Sequence, residues 1–184
     1  MRGRVFRAAA AGVCLCAALH AAELANAWIN VPYVQQTKDG CGAASLAMVM
    51  QYWDRQENRK AEDKDNPQQI LHALYSRAAH GIYASAMTRY LDENGYRTFA
   101  FAGQWADFAR ELQKGRPLIV ALKPGGSHSL HYVVVAGVND AEQVVLLNDP
   151  AQRKLLKEDK ARFEREWKAT GNWTLLAVPE TQQH

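Results

Sequence analysis

The sequence predicts an α+β domain with one leading helix packed across an antiparallel sheet. Up to about residue 115 most apolar residues recur at helical spacing, whereas from Leu118 onwards they gather in short runs rich in Val, Leu and aromatics. The 184 residues suffice for one domain with its own core and are too few for two large ones.

Each element follows from its local pattern. Leu46, Val49, Met50 and Trp53 fall at i, i+3, i+4 and i+7, the buried stripe of an amphipathic helix over 41–54, and the turn Asp39-Gly40 starts it abruptly. A charged loop over 55–66 ends at Pro67, where a second helix begins; it carries Ile70, Leu71, Leu74 and Ala78 and ends near His80-Gly81. Tyr83, Met87, Tyr90 and Leu91 give a third helix closed by Gly95, and Trp105, Phe108, Ala109 and Leu112 a fourth closed by Gly115. Between them, 96–101 alternates like a strand. The second half reads as strands over 118–122, 132–138, 144–147 and 173–178, with Asn139-Asp140 marking a hairpin and a short helix over 159–167 interrupting the series. One core serves this arrangement.

Composition excludes several classes. Hydrophobic residues at 48% and charged residues at 22% are ordinary globular values, unlike collagen-like, disordered or polytopic membrane chains. The net charge of +3 comes with no Lys/Arg stripe, so no nucleic-acid partner is expected.

Residues 1–27 read as a secretory signal and 28–184 as the domain. Arg2, Arg4 and Arg7 make a basic start, 8–22 carries no formal charge, and Ala25-Asn26-Ala27 is an A-x-A cleavage site. The apolar run is shorter than the roughly 20 residues of a membrane-spanning helix, which makes an uncleaved anchor the weaker alternative. Val13 and Leu15 precede Cys14 and Cys16, a poor fit to a lipoprotein signal. The expectation is an exported protein, periplasmic or secreted, with no stable membrane insertion once the signal is removed. Removal takes three of 22 basic and one of 19 acidic residues, leaving 19 against 18.

Two of the three cysteines leave with that signal, so the domain keeps Cys41 alone and has no internal disulfide. Cysteine-only zinc sites and C-x-x-C redox pairs are thereby excluded. An unpaired thiol in an oxidising compartment is a buried inert residue, an intermolecular bridge or a nucleophile.

Its partners favour the nucleophile. Cys41 stands at the first turn of the leading helix, where free backbone N–H groups and the macrodipole favour an anionic sulfur. His131 opens the strand His-Tyr-Val-Val-Val directly after a flexible stretch containing Gly125, Gly126 and His128, a place from which an imidazole can face a cleft and exchange a proton with a thiol. Asp149 follows the next strand in Asn148-Asp149-Pro150. With a three-residue hairpin loop Asp149 stands directly opposite His131, close enough to hold its Nδ1–H. A four-residue loop turns it to the other face unless a bulge or the strand end intervenes. Gln35, six residues before the thiol, can donate to an oxyanion together with the Cys41 N–H, with Gln36 as its rival. Singly, these are also an ordinary core cysteine, a strand-end histidine, a turn aspartate and a loop glutamine; together they form a nucleophile, base, orienter and oxyanion donor. Trp105, Tyr83 and the 124–130 loop are candidates for the pocket lining.

Taken together, Val31-Pro32-Tyr33-Val34-Gln35, Cys41-Gly42-Ala43-Ala44-Ser45-Leu46-Ala47-Met48, His131-Tyr132-Val133-Val134-Val135 and Asn148-Asp149-Pro150 resemble the bacteriocin-processing, double-glycine-leader cysteine peptidases of the papain-like superfamily. The likeness spans nearly the whole of 28–184. It implies a papain-like cysteine peptidase fold, Cys41 as nucleophile, His131 as general acid/base, Asp149 as orienter and Gln35 as oxyanion donor. It also implies a peptide or protein substrate and neither metal nor organic cofactor. Two departures stand out: Asp39-Gly40-Cys41 replaces the usual Asp-Cys-Gly, and Leu130 stands where Gly or Asn commonly precedes the histidine. Many relatives are the first domain of a peptide-exporting ATPase, whereas this chain carries no nucleotide motif and an export signal. The expectation is a stand-alone exported member, with an export system as a partner left open and double-glycine specificity not carried over. The alternatives are a phytochelatin-synthase-like transpeptidase, a peptidoglycan-cleaving cysteine peptidase, and a non-catalytic peptide-binding module.

Overall fold

The computed structural model describes residues 26–60, 62–125, 127 and 129–180. Residues 1–25, which hold most of the expected signal, and His128 lie outside the described residues. One antiparallel sheet organises the rest. Its strands are β1 (Asn26–Trp28), β2 (Tyr96–Ala102), β3 (Leu118–Leu122), β4 (His131–Asn139), β5 (Val144–Asn148), β6 (Leu156–Asp159) and β7 (Trp173–Pro179), in the order β2-β7-β3-β4-β5-β6. β3 pairs with the first half of β4, and β1 continues that row along its second half. Asn26 and Ala27, the last two residues of the expected signal, are thus part of the sheet. At the crossing, a Cβ on Gly137 would lie 2.8 Å from the Trp28 Cβ and 2.9 Å from Leu146 Cδ1, so only glycine lets β1 approach this closely.

The helices are α1 (Cys41–Gln56), α2 (Pro67–Leu74), α3 (Ala84–Glu93), α4 (Trp105–Gln113) and α5 (Lys160–Lys168). Asn66 caps α2 by accepting from the Gln68 and Gln69 N–H groups, and Asp159 caps α5 by accepting from Arg162 N–H. Gly95 and Gly115, at φ +84° and +72°, end α3 and α4 as the sequence predicts.

Helices cover both faces of the sheet. On one face Ile119, Ala121, Tyr132, Val134 and Ala136 pack with Leu46, Ala47 and Met50 of α1. On the other, Leu118, Val120, Val133 and Val135 pack with Phe108 and Leu112 of α4 and Phe163 and Trp167 of α5. The expectation of one core is corrected to two. β3 is buried at all its positions, as a strand covered on both sides must be, and its run Leu-Ile-Val-Ala-Leu shows no polar alternation. The α+β class and the leading helix on an antiparallel sheet stand.

Two further differences have local causes. The second helix stops at Leu74, and the chain turns back through a Ser76–Gly81 bridge with His80 at φ +47°. Arg77-Ala78-Ala79 has good helix propensity, but Ser76 N–H donates to the Gly81 carbonyl at 2.8 Å, a pairing that a continued helix cannot make. β1 and β6 have no counterpart in the prediction, because Leu156-Lys157-Glu158-Asp159 is mostly charged and only its pairing with β5 makes it a strand.

Candidate active site

Cys41 is the first residue of α1, which packs on β4 and is buried all round from Gly42 to Met50, where the sequence predicts only a buried stripe. The first bond within the helix runs from Ala44 N–H to the Gly40 carbonyl at 2.9 Å, so the N–H groups of Cys41, Gly42 and Ala43 have no partner inside it. No acidic side chain occupies that first turn, and Gly40 offers no side-chain cap. The positive end of α1 therefore opens at the sulfur. Asp39, at φ +59°, makes the turn into the helix and accepts from Tyr75 Oη at 3.4 Å.

His131 is the first residue of β4 and pairs with Leu122 of β3. Its ring Nε2 lies 2.9 Å from Asp149 Oδ1, and Cys41 shares the cleft with the same ring and acts on it electrostatically. The three residues thus come together from α1, β4 and the end of β5. The expected bond of the carboxylate to Nδ1 is corrected to Nε2.

The hairpin takes the second expected form, a four-residue loop with a bulge, at pairing positions shifted from the expected ones. Four residues, Asp140 to Gln143, connect β4 to β5, and a bulge between Val135 and Gly137 shifts the pairing by one. Before the bulge Asn139 faces Val144; after it Val134 faces Asn148. Continued one residue, this register sets Asp149 level with Val133, two residues from His131 and on the same face. Without the extra residue the carboxylate would face away.

The site's charges are mutually stabilised. Burial would push the His131 ring down, but its hydrogen bond to Asp149 and the negative charge of Asp149 and Cys41 outweigh that and hold it up at about 9. Asp149 feels the opposite balance. Burial would raise it, yet hydrogen bonds from His131, the Ala151 N–H (2.9 Å) and Gln152 Nε2 (2.7 Å) hold it below its ordinary value. Beside them Tyr132 is raised to about 12 by burial and by the charge of Cys41.

A cleft of about 430 Å³ opens on these groups. Cys41, His131 and Asp149 line it together with Gln36, His80, the loop residues Pro124, Ser127, Ser129 and Leu130, and a floor that includes Leu122, Leu147 and Phe163. Arg162, also in the lining, holds Glu158 and Glu166 at 3.1 and 3.2 Å. Gln35, the donor that the six-residue spacing selects, is exposed and does not line the cleft, whereas Gln36 does. Gln36 Oε1 is buried without a partner among the described residues, and its backbone N–H donates to the Pro150 carbonyl at 2.9 Å. Of the other pocket candidates, Tyr83 is exposed and does not line the cleft, and Trp105 packs edge-on against Phe108 and Phe163 in the second core. Sequence reasoning missed Gln152 as a partner of Asp149; its position three residues after the aspartate in a Pro-containing turn was the available signal.

Among curated proteins no relative matches this chain. Solved structures do. A protein of Bacillus anthracis described as a C39-like peptidase superposes with a TM-score of 0.64 at 16% identity, covering 83% of this chain and 97% of the other. A double glycine motif protease from an AMS/PCAT transporter, in complex with its leader peptide, matches at 0.60 and 23% identity over 83% and 94%. The peptidase domain of Streptococcus ComA, a bifunctional ABC transporter of a quorum-sensing pathway, matches at 0.60 and 22% identity over 82% and 99%. These likenesses show the fold, that of C39 peptidases of the papain-like type. The family model described as Peptidase_C39 like matches residues 28–175, and the chain therefore belongs to the Peptidase_C39 like family, a membership that points to cysteine peptidase activity.

Proposed function

We propose that this protein hydrolyses a peptide bond through a thioester acyl-enzyme. The observation that carries the reading is the His131 ring, 2.9 Å from the Asp149 carboxylate and lining one cleft with Cys41. The Cys41 sulfur attacks the scissile carbonyl carbon, and the carbonyl electron pair moves onto its oxygen. The Cys41 N–H, at the open end of α1, and the Gln36 carboxamide stabilise that oxyanion. Collapse breaks the C–N bond as the His131 imidazolium gives its proton to the leaving amine. Water, deprotonated by the now neutral ring, then attacks the thioester and restores the thiol. Asp149 keeps the ring in plane and stabilises its charged form without taking the proton. Gln36 replaces Gln35 in this reading because Gln36 lines the cleft.

The substrate we propose is a peptide or protein processed outside the cytoplasm. The basic start, uncharged run and A-x-A motif of residues 1–27 support export to the periplasm or beyond. Replacing Cys41 by Ala tests the chemistry: turnover and formation of a mass-detectable acyl adduct on the domain should both disappear while the melting temperature stays within a few degrees. An adduct or turnover persisting in Cys41→Ala refutes the mechanism.

A further inference from the structure

The segment that carries Gln36 to the cleft has no strand partner beyond Ile29, so its backbone must be held by other means. Pro32 has no N–H to offer, and the carbonyls of Val31 and Pro32 lie in the interior with both residues buried. One side chain serves both. Asn148, at 0% exposure, donates through Nδ2 to the Val31 carbonyl at 3.2 Å and to the Pro32 carbonyl at 3.1 Å. Its Oδ1 accepts from the Leu155 N–H at 3.0 Å, which closes the turn after Asp149. The next two residues continue the attachment. Tyr33 Oη donates to the Asp149 carbonyl at 3.2 Å, and Gln36 N–H donates to the Pro150 carbonyl at 2.9 Å. Three consecutive residues, 148 to 150, therefore hold the arm 31–36 while the middle one orients the His131 ring.

We infer that Asn148 and Tyr33 are positioning residues of the oxyanion site: they suspend the arm bearing Gln36 from the turn bearing Asp149, so that donor and orienter are placed as one rigid unit. Only a primary amide supplies two donors and one acceptor in this volume. An apolar residue of the same shape leaves two buried carbonyls and one N–H unpaired, which drives the arm towards water. The inference rests on the proposed role of Gln36, and the experiment separates the two.

Two probes of the Cys41 sulfur distinguish positioning of the arm from general damage. Acylation by p-nitrophenyl acetate forms the S–C bond, passes through a tetrahedral oxyanion and expels p-nitrophenolate. Alkylation by iodoacetamide displaces iodide at a saturated carbon and generates no oxyanion. In the 28–184 domain with residues 26 and 27 retained, Asn148→Leu should slow acylation by about 10- to 100-fold and Tyr33→Phe by several-fold, with alkylation within about twofold of wild type. Gln36→Ala, the control, should lose acylation to a similar extent. Equal loss of both reactions in folded Asn148→Leu, or loss of neither, overturns the inference. If Asn148→Leu does not fold, Tyr33→Phe decides by the same ratio, since it removes only a hydroxyl from a part-buried position. Should Gln36→Ala leave the ratio unchanged, the oxyanion reading itself fails. A loss in Gln36→Ala with an unchanged ratio in the other two variants sinks the positioning role alone.

Discussion

Replacing Asp149 by Asn keeps the shape of the site and removes the charge that holds the His131 ring protonated. Burial alone would depress the ring; the hydrogen bond of Asp149 and the negative charge of Asp149 and Cys41 raise it instead from 6.5 to about 9. That difference is worth about 3 kcal/mol in favour of the imidazolium. With Asp149 neutral, burial is opposed by Cys41 alone, and the ring should titrate near or below its ordinary value. At pH 7 the imidazolium then falls from nearly the whole population to about a quarter or less, and alkylation of Cys41 by iodoacetamide should fall by about fourfold or more. The ring can be followed directly by the NMR shift of its Hε1, whose midpoint should move down from about 9. Stability should respond in the same sense. A raised histidine contributes stability that is fully present below about 6.5 and is lost as pH rises through 9, so the gap in melting temperature between wild type and Asp149→Asn should narrow above pH 9. A midpoint that stays near 9 in the variant, or a pH 7 alkylation rate within threefold of wild type, would refute the coupling.

Other consequences concern the fold. Asp65, 1% exposed, is raised to about 6 by burial and by the neighbouring Asp54, while Tyr90, Tyr96, Arg59, Glu57, Glu62 and Lys64 surround the pair. Its protonated form is favoured on folding, so stability should be full below about 4 and fall as pH rises through 6. Asp65→Asn should abolish that fall, of about 1 kcal/mol between pH 5 and 8, in urea titrations at those two values, and an unchanged pH dependence would count against it. Gly137→Ala forces a Cβ to within 2.8 Å of Trp28 and should cost about 1–3 kcal/mol, read as a lower melting temperature; an unaltered melt would mean that β1 does not cross there. Phe163→Ala, in the ring cluster with Phe108 and Trp167 at 5.7 and 5.5 Å between centroids, should lower stability by about 3–5 kcal/mol in denaturant melts, and a loss under 1 kcal/mol would contradict the packing described.

The sequence by itself determined the leading helix, the strand opened by His131 and the Asp149-Pro150 turn, because helical spacing, runs of Val and Pro-bearing turns are local signals that tertiary packing did not override. It also brought Cys41, His131 and Asp149 forward as one set. The register of β4 against β5, however, depends on an extra residue at the bulge near Ala136, and a single shift reverses the face of every later side chain. Whether Gln35 or Gln36 faces the cleft is likewise decided by hydrogen bonds from a distant turn, and spacing from Cys41 does not encode them. The second core, β1 and β6 were also illegible, since their stability comes from pairing and coverage by elements far along the chain. Only the tertiary structure decided them, because sequence periodicity reports the face a segment must bury and carries no information on which partner will cover it.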